Sequence, residues 1–262
     1  MIIDDGSTDN TEELVQSWID EDRIHIQYHY QENQGMHGGH NTAYSLIETP
    51  INVCIDSDDF MPNNAVELIL NNWEKIRDNP GCAGIVGLDA DKSGNIIGTK
   101  IPEELEETTL YSLYHKHKVE GDKKLVYKTE VVKKYPPYPL FEGERFVPLG
   151  YLYQLIDQDY KLHPANEVYC VVEYMQDGSS RNMLKQYRRH PKGFAFSRIS
   201  GMQYAHSFKD KFKNAIHYVS SALFTKNWKF LNESPKKLTT IIAIPFGVLL
   251  NIYIRYKTRN AF

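Results

Sequence analysis

Twice within its first sixty residues the chain runs an apolar stretch straight into a cluster of carboxylates. "MIIDD" places Asp4 and Asp5 after Ile2 and Ile3, and "NVCIDSDDF" places Asp56, Asp58 and Asp59 after Ile55. Neighbouring carboxylates repel, and burial raises their pKa unless a cation or a donor compensates. Around these clusters, short apolar runs alternate with helical patterns. Thr11 is expected to cap a helix with Leu14, Val15, Trp18 and Ile19 on one side. "RIHIQYHY" alternates as a half-buried strand, and Gly35, Gly38 and Gly39 mark a loop before the helical stretch "HNTAYSLIE". Val66, Leu68, Ile69, Trp73 and Ile76 then recur at helical spacing. Strands and helices alternating in this way predict an α/β layer with a largely parallel sheet. Ligands of such sheets bind outside the carboxyl ends of the strands, where both acidic clusters fall.

Carboxylate oxygens suit Mg2+ or Mn2+, and Mg2+ is usually held by one or two carboxylates together with substrate phosphates. A nucleotide diphosphate needs such a cation to screen its charge and stabilise it as a leaving group. The bland alternative for either cluster is an acidic turn. Other patterns point away from metal. "DADKSGNIIGTK" begins like a calcium loop but carries Lys100 where a bidentate glutamate belongs, so it reads as a hairpin turn. His115 and His117 sit among lysines and read as exposed polar residues. Cys54, Cys82 and Cys170 form neither a disulfide framework nor a zinc motif, which fits a reducing compartment.

Three ordered blocks, "IIDDGSTDNT", "ENQGMHGGHNTAY" and "CIDSDDF", resemble those of family 2 glycosyltransferases with the GT-A fold. The resemblance covers about the first 100 residues, with looser features to about residue 180. It implies a mixed sheet flanked by helices, a nucleotide-sugar donor, a divalent cation (Mn2+ or Mg2+) and inverting transfer of one sugar. By that resemblance Asp4 or Asp5 contacts the nucleoside, Gly35 and Asn41 belong to the loop and helix beside the nucleotide, and Asp56 and Asp58 form the DxD pair, Asp58 holding the metal. His40 stands where the family often has arginine. The apolar strand, "PxYN"-like turn and helix that usually precede the first block are expected to be missing, which makes a catalytically impaired fragment of such an enzyme the alternative.

Inverting transfer needs a carboxylate to take the acceptor hydroxyl proton. Glu142 and Glu144 of "FEGERF" are the candidates, with Glu144 preferred, and an exposed acidic loop paired with Arg145 is the competing reading. From Arg181 onward the chain has 16 Lys and Arg against Asp210 and Glu233, leaving 14 basic and 32 acidic residues before it. A basic region after an acidic body suggests an anionic partner. Apolar residues from 241 to 254, flanked by Lys236 and Lys237 and by Arg255, Lys257 and Arg259, predict an interfacial helix on an anionic membrane surface rather than a span. Packing of that helix on the catalytic domain is the alternative. Similar enzymes of bacterial surface polysaccharide synthesis use lipid-linked carbohydrate acceptors. The expected organisation is a catalytic domain over 1–178 and a basic helical, membrane-associating region over 179–262, with Ser179 or Ser180 as a helix cap. The expected location is cytoplasmic, peripheral on the inner face of the membrane. No nucleic-acid recognition motif accompanies the charge, so no nucleic-acid partner is expected.

Overall fold

The computed structural model describes residues 1–173 and 182–261. The boundary near residue 178 and the caps at Ser179 and Ser180 lie outside the described residues. In chain order the elements are β1 (Ile2–Asp4), α1 (Thr11–Asp20), β2 (Tyr28–Tyr30), α2 (Met36–Leu46), β3 (Ile51–Val53), α3 (Ala65–Ile76), β4 (Cys82–Ala90), β5 (Lys123–Lys128), α4 (Thr129–Val132), α5 (Gly150–Asp159) and β6 (Lys161–Val171). A helical region follows: α6 (Met183–Arg189), α7 (Pro191–Tyr204), α8 (Phe208–Thr225), α9 (Phe230–Glu233) and α10 (Lys237–Lys257). The chain divides into two compact units. One comprises Met1–Leu46, Pro137–Tyr151 and Asp177–Phe262, the other Ile47–Pro136 and Leu152–Gln176.

In the first unit β1 and β2 pair in parallel, Asp4 opposite Tyr30. The strand expected over 23–30 shortens to β2 because β1 offers three residues to pair with, and Ile24 is left exposed. Thr11 begins α1 rather than capping it; the N-cap is Asn10, which makes no side-chain cap bond, and Asp9 before it accepts from the Thr11 amide (3.1 Å) and hydroxyl (2.5 Å). The loop expected through Gly38 and Gly39 is already helix, since α2 starts at Met36. Glycine serves packing there, for a Cβ on Gly38 would press into the Gln34 side chain.

The second unit holds a four-stranded sheet in the order β3-β5-β4-β6. β5 runs antiparallel to both β3 and β4, and only β4 and β6 are parallel. The sheet is therefore mixed, as the family resemblance implies, and not largely parallel as the alternation of strands and helices alone suggests. Its core joins Ile69 and Ile76 of α3 to Ile85, Val126 and Tyr169, the helix laying its apolar stripe on the sheet as its spacing requires. Gly87 makes room for the Tyr169 ring, which a Cβ would overlap, and buried Asn72 bonds the Tyr169 hydroxyl at 2.9 Å. The segment that starts like a calcium loop closes on itself instead. Asp91 accepts from the amides of Ser93 (2.8 Å) and Asn95 (2.9 Å), Gly94 turns at φ 81°, and the return strand is reduced to a bridge between Ala90 and Ile96.

The helices of the basic region pack α7 on α8 and α8 on α10 around Met202, Ala215, Tyr218 and Ala243. Ser207 caps α8, accepting from the Asp210 amide at 3.0 Å. The amphipathicity of α10 is inverted. Its inward face is mostly small or polar (Thr240, Ala243, Gly247, Asn251) with Ile254 as the apolar member, and Gly247 lets it approach Val219. Its outward face carries Leu238, Ile241, Ile242, Phe246, Leu249, Ile252, Tyr253 and Tyr256, with Leu238 78% exposed. At 21 residues, α10 is long and apolar enough, by length and composition, to cross a membrane, and it exceeds the run from 241 to 254.

Candidate functional site

In the first unit, hydrogen bonds draw three blocks that are far apart in sequence into one cluster. Buried Asp4 accepts from the Tyr28 hydroxyl and the Ser7 amide, both at 2.7 Å. Burial alone would raise the Asp4 carboxyl, but these bonds outweigh it and hold the group below its ordinary value. The same bond pushes Tyr28 up to about 12. Asp5 accepts from the Gln34 amide (2.9 Å), the Gly35 amide (2.7 Å) and the Gln31 side chain (2.7 Å). Gly35 turns at φ 83°, and a Cβ there would overlap the Arg145 carbonyl. Glycine is thus required twice, for the left-handed backbone and for the close approach. Asn41 on α2 clamps the backbone of Tyr138 in both directions, at 2.8 Å each way. Asp5, Gly35 and Asn41 are therefore brought together against the 138–147 segment, while Asp4 secures the adjoining Ser7 and Tyr28.

The 140–147 loop lines a cavity of about 760 Å³ with Asn33 and Gln34 on one side and Arg189 and His190 on another. Glu144 reaches the start of α7, where its two oxygens accept from the amides of Lys192 and Gly193, both at 2.9 Å. Burial raises the Glu144 carboxyl, and the two amides offset only part of that. Glu142 stands exposed in the same cavity, and its carbonyl accepts from the Lys192 ammonium at 3.3 Å. The Arg145 amide donates to His190 Nδ1 at 3.1 Å, and the Val147 amide to His37 Nδ1 at 3.3 Å. Burial lowers both imidazoles, which keeps them neutral acceptors of these bonds.

The second acidic cluster belongs to the other unit, on the turn between β3 and α3. The turn divides its three carboxylates. Asp59 is half-buried and accepts from the Glu173 amide at 3.3 Å and the Cys170 thiol at 3.8 Å. Phe60 pairs with Val171 of β6, which pins the turn, while Asp56 and Asp58 stay exposed. Two groups that sequence spacing hides stand beneath the turn. Asp89 is buried, its Oδ1 has no hydrogen-bond partner, and burial pushes it up to about 6. Lys124 pairs with Gly87 across β4 and β5, on the face that Asp89 shares. Burial would lower its ammonium, but Asp89 and Asp56 outweigh that and raise it. Lys124 is thus an internal counter-charge for the acidic turn. Strand register alone joins these residues, because β5 carries three lysines (Lys123, Lys124 and Lys128) and nothing in the sequence singles out Lys124. Asp56 and Asp58 offer the hard oxygen donors that Mg2+ or Mn2+ prefers. Among the described residues, no group of three or more His, Cys, Asp or Glu side chains is placed to hold a metal ion.

The family model of glycosyl transferase family 2 matches residues 1–135. Over 96 residues the chain is 33% identical to the chondroitin synthase of Escherichia coli, a stretch that is 37% of this chain and 14% of that protein. Among solved structures, S. aureus TarS 1-349 superposes with a TM-score of 0.59 at 12% identity, over 99% of this chain and 81% of that one. The same TarS fragment in complex with UDP-GlcNAc gives 0.60 at 13% identity, over 99% and 82%. At such identity the likeness speaks for the fold, the mixed α/β arrangement of the GT-A type.

The environment of Asp89 has a pH signature. Its folded value, about 6, lies above the ordinary 3.8, so the stability it contributes is fully present below 3.8 and lost as pH rises through 6. The buried imidazoles, lowered by burial, change stability the opposite way over the same window, so the Asp89 contribution is read by difference: relative to the wild type, Asp89→Asn should gain urea midpoint between pH 4 and pH 7. Superimposable pH profiles would contradict the assignment.

Proposed function

The chain belongs to glycosyl transferase family 2, and from that premise we propose that it moves a sugar from a nucleotide-sugar donor to a carbohydrate acceptor, with inversion, in bacterial surface polysaccharide synthesis. It is a glycosyltransferase by family. The finer reading rests on one observation above all: the 140–147 loop presents carboxylates to a cavity of ligand size. The TarS complex with UDP-GlcNAc supports a nucleotide-sugar donor. Asp58 and Asp56 are the residues for Mn2+ or Mg2+; a bound cation would neutralise the diphosphate as it leaves. Asp4, Asp5, Gly35 and Asn41 are assigned to the nucleotide side by the family pattern, and the hydrogen bonds of Asp5 and Asn41 favour a framing role in holding that loop.

Of the two candidate bases, the bonding favours Glu142. Both oxygens of Glu144 are engaged by α7 amides, so Glu144 positions the loop. Glu142 then takes the proton of the acceptor hydroxyl as that oxygen attacks the anomeric carbon, and the nucleotide diphosphate departs from the opposite face. This shifts the assignment from Glu144, the choice on sequence alone, to its neighbour.

The exposed face of α10 supports membrane association and, with it, a lipid-linked acceptor. An aliphatic and aromatic face bounded by Lys236, Lys237, Arg255, Lys257 and Arg259 is what an anionic bilayer surface would cover. α8 backs the other side of the helix and carries Lys209, Lys211 and Lys213, which favours a helix lying in the interface over one surrounded by lipid.

Release of nucleotide diphosphate from a panel of nucleotide sugars, with Mn2+ and with EDTA, tests the transferase reading. Turnover should need the cation, and Asp58→Ala should remove that dependence together with most of the rate. Glu142→Gln should slow turnover by about 10²- to 10⁴-fold, as loss of a general base does, with the unfolding midpoint kept. Glu144→Gln should lower the midpoint as well. Full turnover in Glu142→Gln would return the role of base to Glu144. For the membrane, flotation with anionic vesicles should recover the wild-type chain and lose the Ile242→Glu/Leu249→Glu variant; equal recovery of both would contradict the α10 surface.

A further inference from the structure

We propose that Lys124 is a positioning residue of the cation site: from β5 it sets a fixed positive charge against Asp56, so that the acidic turn holds Mn2+ or Mg2+ more loosely than its carboxylates alone would. The inference rests on the metal assignment of Asp56 and Asp58 and adds the group that sets their affinity. Strand register places the lysine. Val126 pairs with Val53 on β3 and with Ile85 on β4. Two residues earlier on β5, Lys124 shares that face of the sheet, pairs with Gly87, and stands level with Ile55, from which the chain runs into Asp56. The far end of the turn is anchored to β6, Phe60 by its bridge to Val171 and Asp59 by the Cys170 thiol at 3.8 Å. Cys170 in turn lies opposite Asp89. Lys124 is therefore beneath the turn, between its two fixed ends.

The charge of the lysine is not locked to one partner. Burial works against the half-buried ammonium, yet Asp89, Cys170 and Asp56 together keep it charged. Among the described residues it forms no salt bridge, and Asp89 Oδ1 has no hydrogen-bond partner, so the lysine acts on both carboxylates through its field. A divalent ion held by the exposed Asp56 and Asp58 meets that ammonium as a like charge. Two carboxylates also fill only part of the octahedral oxygen shell of Mg2+, which usually takes its other ligands from water and substrate phosphates. Phosphate oxygens would bring negative charge to set against the lysine as well as ligands. The competing role for Lys124 is to tie β5 to its neighbours. Loss of a tie leaves cation affinity unchanged or reduced, whereas loss of an opposing charge raises it.

Titration of the full chain with Mn2+ alone, the free aqua ion followed by electron paramagnetic resonance at neutral pH, tests this without any turnover. The comparison is between Asp89→Asn and Asp89→Asn/Lys124→Gln, because an aspartate left beside the missing lysine can keep a proton and restore the balance. Replacing both members of a buried pair of opposite charges with neutral residues is also tolerated where removing one is not. The double variant should bind Mn2+ about tenfold or more tightly than Asp89→Asn, the scale on which a unit charge shifts a neighbouring ionisable group. Lys124→Arg keeps the charge and should keep the wild-type affinity. Urea midpoints recorded alongside show that each chain is folded. Equal or weaker Mn2+ binding in the double variant, or a gain in affinity in Lys124→Arg, overturns the proposal. Asp58→Ala, added to the double variant, separates the two readings. Binding that survives it places the ion elsewhere and removes the metal assignment together with this inference. Binding that it abolishes, with no gain from Lys124→Gln, removes this inference alone.

Discussion

The Asp5 carboxylate is the contact on which the candidate site depends. It gathers the Gln34 and Gly35 amides and the Gln31 side chain, and so fixes a backbone turn whose left-handed residue lies against the Arg145 carbonyl. Through that contact, a strand end near the N-terminus sets the position of a loop more than a hundred residues later. Hydrogen bonds to a charged acceptor contribute about 1.5–3 kcal/mol each, and an amide left without its partner costs a comparable amount. Asn41 and His37 add further ties from α2 to the same segment. Asp5, one of the carboxylates that the family pattern places at the nucleotide, is in this chain also part of the framework of the cavity.

Like charges crowded on a turn are tolerated only where something answers them. In the second unit the answer has two parts. Asp59 is taken up by the Glu173 amide and the Cys170 thiol, and Lys124 sets a fixed positive charge against Asp56 and Asp89. That leaves Asp56 and Asp58 exposed as the pair available to a cation. The turn therefore holds its shape with an internal lysine while keeping its outer carboxylates at the surface.

Much of this was legible in the chain itself. Ile69, Trp73 and Ile76 lie on α3 as their spacing indicates. The register of the strands was not, because it is set by contacts between distant segments; hence Lys124 went unnoticed and Asp89 was read only as the start of a hairpin turn. Gly38 and Gly39 read as loop residues because glycine interrupts helices in isolation, yet here they sit within α2. The Glu142 and Glu144 pair was visible as a motif, but their division of labour depends on amides at Lys192 and Gly193, nearly fifty residues away. In α10 the apolar composition was plain. Which face it turns outward followed only from the small residues that let it lie close to α8.

The measurement that bears most directly on this account is native-state amide hydrogen exchange at Gln34 and Gly35, followed residue by residue in the wild-type chain and in Asp5→Asn. If the Asp5 carboxylate anchors the turn, both amides exchange slowly in the wild type, and the variant loses that protection there and in the 140–147 loop together. Fast exchange at both amides in the wild type, or a 140–147 loop indifferent to the loss of Asp5, would contradict it.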